Sequence, residues 1–310
     1  MEDSLFNLVG PEQKPGKVEE VEATEETVVN LIPDLVIDDA FLAKRPLSYS
    51  SLKNFRKSPR HYLNYLTEPF VPTEAMKIGS ILDCIVLTPH EFEKKFLVYN
   101  KVNRSTSKGK AEWANIQSTS RGRTLITKDQ LKSAQLAKES LYSENDAKQV
   151  LEAMTRTQIK LKWTDKLRNL PIIGYADFEA KLWDELFVVD LKKTASADPQ
   201  DFVRDYVKYD YLFQTGVYRE GYKRIRFRFP YFLYLCVETQ APYGVSVNFI
   251  DAKTLELAEQ EFHGTLIAFR KCMDEGRFNE TYHYKLSGSM PYFSLQVPGY
   301  YKPKYIGIDE

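Results

Sequence analysis

Two aspartates and a lysine, set in otherwise apolar runs, are the residues of this chain best placed to do chemistry. Leu186, Phe187, Val188 and Val189 read as a buried strand, and Asp190, Leu191 and Lys192 follow at its end. Asp177 sits in a second strand-like run just upstream, and Gln214 and Tyr218 follow downstream at i, i+4 spacing. A charge buried without a partner is costly, so such a set is either a structural ion pair or chemistry held on rigid elements. Hydrolysis of a phosphodiester needs a divalent metal on oxygen ligands, a water activated by it, and a cation near the developing charge. Asp177 and Asp190 on adjacent strands can hold Mg²⁺, with the Leu191 carbonyl as a further ligand. Lys192 would orient the attacking water or stabilise the developing charge. Gln214 and Tyr218 share a helical face and can reach the same centre or a DNA backbone. An Asp-x-Lys alone reads as a strand-end ion pair. The order strand–Asp–turn–strand–Asp-x-Lys–helix–Gln-x-x-x-Tyr is far more restrictive. Asp83, inside the apolar run "GSILDCIVLTP", needs a partner for the same reason, and the catalytic reading makes it a third metal ligand.

The elements that must position these residues follow from periodicity. "PIIGYADFEAKL" and "LFVVDLKKT" read as a hairpin joined by "WDE", which brings the two aspartates together on one sheet. "SADPQDFVRDYVKYDYLFQTGVYREGY" reads as one amphipathic helix, with Ser196 or Asp198 as cap and Pro199 in its first turn. Upstream, Ser48 or Ser50 caps a short helix that Pro59 ends or bends, and "PRHYLNYL" forms another. Ala75–Leu87 is a core helix, apolar on nearly all sides. Residues 101–123 read as a basic loop with some helix, before a helix over about Thr127 to Leu141. The strands "YFLYLCVET" and "GVSVNFID" flank the turn "QAPY", and a final helix runs from about Ala252 to Glu275, ending at Gly276. The Tyr-rich remainder reads as irregular.

Composition narrows the classes. At 310 residues the chain can build one large α/β domain, and its three cysteines show no metal-ligand or disulfide spacing. Four cysteines would be needed to bind an iron–sulfur cluster. There is no internal repeat, GxGxxG fingerprint or P-loop. With no apolar run near ~20 residues and no basic-then-apolar N-terminus, the expected location is the cytoplasm, without a membrane partner. The net charge of zero hides an asymmetry: residues 1–40 carry eleven acidic residues and two lysines. The body over 41–310 is correspondingly basic. An acidic, disordered tail over 1–40 and a polyanion-binding domain over 41–310 are the expected division. A tail of this kind can compete with DNA for the same surface. The basic segment 101–123 is the candidate for phosphate contacts.

Three stretches carry a family likeness: "LSYSSLKNFRKSPRHYLNYLTEP…TEAMKIGSILDCIVLTPHEFEKKF", then "GYADFEAKLWDELFVVDLKKTASADPQDFVRDYVKYDYLFQTGVYREGY", then "FLYLCVETQAPYGVSVNFIDAKTLELAEQEF". Together they resemble the RecE-type exonucleases (exonuclease VIII) of the PD-(D/E)xK nuclease superfamily, over roughly Leu47 to Tyr282. The resemblance implies an α/β fold with a mixed central β-sheet flanked by helices. It also implies a Mg²⁺-dependent (or Mn²⁺-using) 5′-to-3′ exonuclease on linear double-stranded DNA ends. The exposed 3′ strand would pass to a single-strand annealing protein in recombination or phage-type processing, and a homo-oligomer is among the family's forms. In that frame Asp177 and Asp190 match the metal-binding acids, Lys192 the catalytic lysine, and Gln214 and Tyr218 the Gln-x-x-x-Tyr helix. The chain departs from the family twice near the centre. Asp83 stands where the family carries His in "G-x-x-x-H", and Lys193 stands in what is commonly Asp-x-Lys-Thr-Thr. An upstream glutamate finds no counterpart near "TRTQIKLKWTD". These departures motivate the rival reading, a weakened or inactive DNA-binding or assembly protein on the same fold. A hard oxygen ligand at position 83 still suits Mg²⁺ or Mn²⁺. Lys193 belongs on the opposite strand face from Lys192.

Overall fold

A computed structural model describes residues 35–281 except 70 and 227. Most of the acidic tail and the Tyr-rich C-terminal stretch therefore lie outside the described residues. The described residues from Val36 onward belong to one compact unit.

The chain enters through α1 (Asp39–Lys44), capped by Asp38, so regular structure starts just inside the segment expected as tail. Helix α2 (Tyr49–Lys57) is closed by a reciprocal capping box between Ser48 and Ser51, which selects Ser48 over Ser50 as the cap. Ser58 then caps α3 (Pro59–Thr67), where Pro59 sits in the first turn and starts a helix as well as ending one. Helix α4 (Glu74–Leu87) buries Ile81, Leu82, Cys84, Val86 and Leu87, yet Met76 and Ser80 are exposed and Asp83 is half-buried. It is one-sided, and Asp83 occupies the open side.

After a 3₁₀ turn and α5 (Phe92–Lys95), β1 (Phe96–Tyr99) pairs in parallel with β2 (Thr124–Thr127). Between them lies α6 (Ser107–Thr119), so the segment expected as a basic loop with some helix is mainly helix. Helix α7 (Lys128–Ser143) has a capping box from Thr127 and Gln130, and α8 (Asn145–Glu152) follows.

The central sheet is β3 (Met154–Asp165), β4 (Leu170–Leu182), β5 (Glu185–Thr194), β6 (Tyr231–Glu238) and β7 (Val245–Phe249), paired in chain order. All neighbours are antiparallel except β5–β6, which are parallel. This is the mixed sheet with flanking helices that the family likeness implies. Strand β3 is absent from the sequence reading, although "QIKLKW" alternates apolar and polar residues and buries Ile159, Leu161 and Trp163. The β4–β5 hairpin has a two-residue turn, Trp183 and Asp184, both at positive φ, and Glu185 already belongs to the strand.

A parallel pair needs a crossover connection, and α9 (Pro199–Lys208) with α10 (Tyr211–Arg226) provides it. The single helix expected over this stretch is thus two. Asp210 takes a left-handed φ of 60°, and Arg56 Nε of α2 holds its carboxylate at 2.6 Å. Helix α11 (Ala252–Asp274) packs along α10. Gly216 makes that approach feasible, since a Cβ there would run into the Ala258 backbone.

The sheet has a core on each face. Phe178, Val189, Leu191, Leu233 and Leu235 pack toward α4, α7 and α8. On the other face Trp163 meets Phe262 of α11, and Tyr234 bonds to Thr215 of α10. Among the described residues no helix is long and apolar enough to cross a membrane.

Candidate active site

The site forms where β5 parts from β4. Their pairing ends at Phe178↔Val189, one step short of Asp177 and Asp190. Beyond that point the Asp177 carboxylate replaces the ladder, with Oδ2 accepting from the Leu191 backbone N–H at 2.9 Å. Farther along, the vacated edge of β4 is taken up by Leu47, whose N–H donates to Pro171 O at 2.9 Å and whose carbonyl accepts from Ile173 N at 2.8 Å. The two aspartates therefore face a notch where the β4–β5 ladder has ended.

On the α10 side of β5, Asp190 and Lys192 form a closed polar set. Lys192 Nζ lies 2.6 Å from Asp190 Oδ2 and donates to Gln214 Oε1 at 2.7 Å. Gln214 Nε2 donates to Asp190 Oδ1 at 2.8 Å and to the Tyr218 hydroxyl at 3.3 Å. One amide thus fixes acid and lysine together. Lys192 Nζ also lies 4.1 Å from the centre of the Tyr211 ring, an aromatic face that favours the cation. Asp190, Gln214 and Tyr218 are all buried. Desolvation, followed by the Asp190 charge, raises the Tyr218 hydroxyl well above its ordinary range, so it stays protonated as a hydrogen-bonding group.

On the α4 side, Lys193 Nζ donates to both oxygens of Asp83 at 2.7 Å and to the Leu191 carbonyl at 3.1 Å. The strand alternation read from sequence holds: Lys192 and Lys193 point to opposite faces. Asp83 and the Leu191 carbonyl, both candidate metal ligands, have an ammonium between them.

Asp177 lies across the notch from Asp190. Desolvation comes first, then the Asp190 and Asp83 charges, and together they push its carboxyl up to about 8 despite the two lysines. At neutral pH Asp177 therefore keeps its proton, and Asp190 and Asp83 are balanced by Lys192 and Lys193. A divalent cation could replace that proton, and the donors are hard oxygens of the kind Mg²⁺ and Mn²⁺ take. Among the described residues, no three His, Cys, Asp or Glu side chains converge as a finished metal site. The reason is visible: Asp190 turns to Lys192, and Asp83 to Lys193. The donor set fits a metal; its present arrangement holds ammonium groups.

A cavity of about 760 Å³ opens beside these residues, lined by Gly79, Asp83, Lys192, Lys193, Lys208 and Tyr211 among others. Lys208 and Tyr211 escaped the sequence reading, because nothing local marks a residue near a helix break as facing a site on another strand. The basic segment stands apart from this set. Arg104 stacks on Trp113 at 3.5 Å, and Arg123 donates to the Ser120 and Thr119 carbonyls, whereas Lys108 and Lys110 are exposed.

The family described as a PDDEXK-like domain of unknown function matches residues 48–285, and the chain belongs to it. Among solved structures, that of a "Putative exonuclease" from Eubacterium rectale is similar with a TM-score of 0.52 and 17% identity, over 77% of this chain and 84% of that one. At that identity the likeness concerns the fold. The crystal structure of SSO0001 is more distantly similar, at TM-score 0.25 and 14% identity over 60% of this chain and 85% of that one. No curated protein matches.

Proposed function

We propose that this PDDEXK-like chain is a metal-dependent nuclease, acting as a 5′-to-3′ exodeoxyribonuclease on linear double-stranded DNA and leaving a 3′ strand for an annealing partner. The observation that carries the reading is the Gln214 clamp. A D-x-K acid and lysine are buried together at the parting of two strands, with a second acid opposite. Asp177, Asp190, Asp83 and the Leu191 carbonyl would hold Mg²⁺, or Mn²⁺, which when bound supplies an activated water and polarises the phosphodiester. Lys192 would stand beside the reacting phosphate, held there by Asp190 and Gln214. Gln214 holds Lys192 and Asp190 in register, and Tyr218 buttresses Gln214. Lys208 at the cavity wall, and Lys108 and Lys110 on α6, are the candidates for backbone phosphate contacts, which bind without regard to sequence. The polarity, the annealing partner and a homo-oligomeric form rest on the RecE-type resemblance alone.

A second reading has its own observation. The ammonium of Lys193 already occupies Asp83 and the Leu191 carbonyl, which favours a weakened nuclease or a DNA-binding protein on this fold. Incubating linear and closed-circular duplex DNA with Mg²⁺ or Mn²⁺ separates the two. Loss of linear DNA only, abolished in Lys192→Ala and Asp190→Asn, is the expected result. Cutting of the circle would make the protein an endonuclease. A gel shift with both DNAs intact would establish the binding protein.

A further inference from the structure

We infer that Lys193 is a built-in cation of the metal pocket, one that must leave Asp83 and the Leu191 carbonyl before a divalent ion can use them. The inference rests on the metal-dependent reading above and deepens it: it names the residue that sets the metal requirement.

The contacts are those of an ion site. One ammonium meets three oxygens, two from Asp83 and one from Leu191, at 2.7, 2.7 and 3.1 Å. These distances are too long for Mg²⁺, which takes oxygens at about 2.0–2.1 Å, so the same ligands must close inward once the ammonium goes. The route of the side chain is also built. Lys193 lies across α4 at Gly79, one turn before Asp83, and a Cβ on Gly79 would come within 2.9 Å of Lys193 Cε. The missing side chain at position 79 is the channel that lets the lysine reach the acid. The cavity that adjoins the pair leaves room for the lysine to swing out.

Two cations cannot share one carboxylate and one carbonyl at close range without repulsion, so occupancy by Lys193 and by metal is exclusive. Removing the ammonium leaves Asp83 charged and uncompensated, which favours the incoming ion.

The test measures Mn²⁺ binding to the full chain without DNA, from the electron paramagnetic resonance signal of the free ion. Lys193→Met keeps the stem over Gly79 and removes the charge, and it is expected to tighten Mn²⁺ binding about tenfold, roughly 1.4 kcal/mol. Gly79→Ala keeps the charge but crowds Cε, and is expected to tighten binding by a smaller factor in the same direction. In an Asp83→Asn background the gain from Lys193→Met should vanish, which a merely structural lysine would not produce. If wild type binds Mn²⁺ and neither variant binds it more tightly, the inference is overturned while the metal-dependent reading stands. If wild type and every variant fail to bind Mn²⁺, the metal-dependent reading falls and takes the inference with it.

Discussion

Adjacent residues of one strand make two lysine–carboxylate pairs that differ in almost every physical respect. Lys192–Asp190, on the α10 side, has side chains only 13% and 5% exposed and is closed by the Gln214 amide. Lys193–Asp83, on the α4 side, has side chains 21% and 32% exposed, sets both of its members on the cavity wall where the other pair sets only Lys192, and is held by a single strand carbonyl besides. A buried pair with every polar atom engaged is expensive to break. A partly exposed pair, both of whose members line a cavity, exchanges partners at lower cost. The first is suited to holding a charge in place through a reaction, and the second to giving way.

The largest effect that would sharpen this contrast is on the α10 side. Lys192→Ala should lower DNA degradation about 10²–10³-fold, the range seen when one preorganised group at a developing charge is removed. A variant retaining near-normal rates would place the catalytic charge elsewhere. Gln214→Ala leaves acid and lysine in place but unclamped, and should cost about 10–100-fold in activity. It should also lower the denaturant midpoint by the equivalent of about 1–3 kcal/mol, because buried partners lose their hydrogen bonds. Asp83→Asn, on the looser side, should raise the Mg²⁺ concentration needed for half-maximal activity about tenfold with little change at saturation. Equal losses in Asp83→Asn and Lys192→Ala at saturating metal would erase the distinction between the two sides.

The smallest effect concerns protons. With its carboxyl pushed up to about 8 from an ordinary 3.8, folded Asp177 keeps a proton that the unfolded chain releases. Its contribution therefore makes the metal-free protein less stable as pH rises between those two values. Urea midpoints taken across that window should fall with pH in wild type and flatten in Asp177→Asn. An unchanged slope in the variant would assign the effect to other groups. Added Mg²⁺ should also flatten the wild-type slope by replacing the proton.

Some of this was legible in the sequence, and some was not, for identifiable reasons. Residues 170–194 announce their strands by apolar runs and their site by charges that do not belong in such runs. Strand β3 was equally visible as alternation in "QIKLKW", in the stretch that lacks the family's upstream glutamate. The break between α9 and α10 was hidden because the amphipathic period runs straight through it. The contact that accompanies it, Arg56 on Asp210, comes from 154 residues away. Asp83 and Lys193 each stand out as departures from a family pattern, and the structure shows that they are one feature. No local rule joins residues 110 apart.

That separation has a consequence for how the protein assembles. Asp177 and the Leu191 amide are only 14 residues apart and are joined by a tight two-residue turn. Hairpins close within about 1–10 μs, so the two acids can meet while the chain is still open to water and their repulsion is screened. Lys192 travels with Asp190 from the start. Gln214 is delivered afterwards by the crossover, and Asp83 from a distant part of the chain, contacts of the high sequence separation that slow folding. The acids are gathered wet and dried later, and the two cations that make the drying tolerable, Lys192 and Lys193, are already attached to the same strand as Asp190.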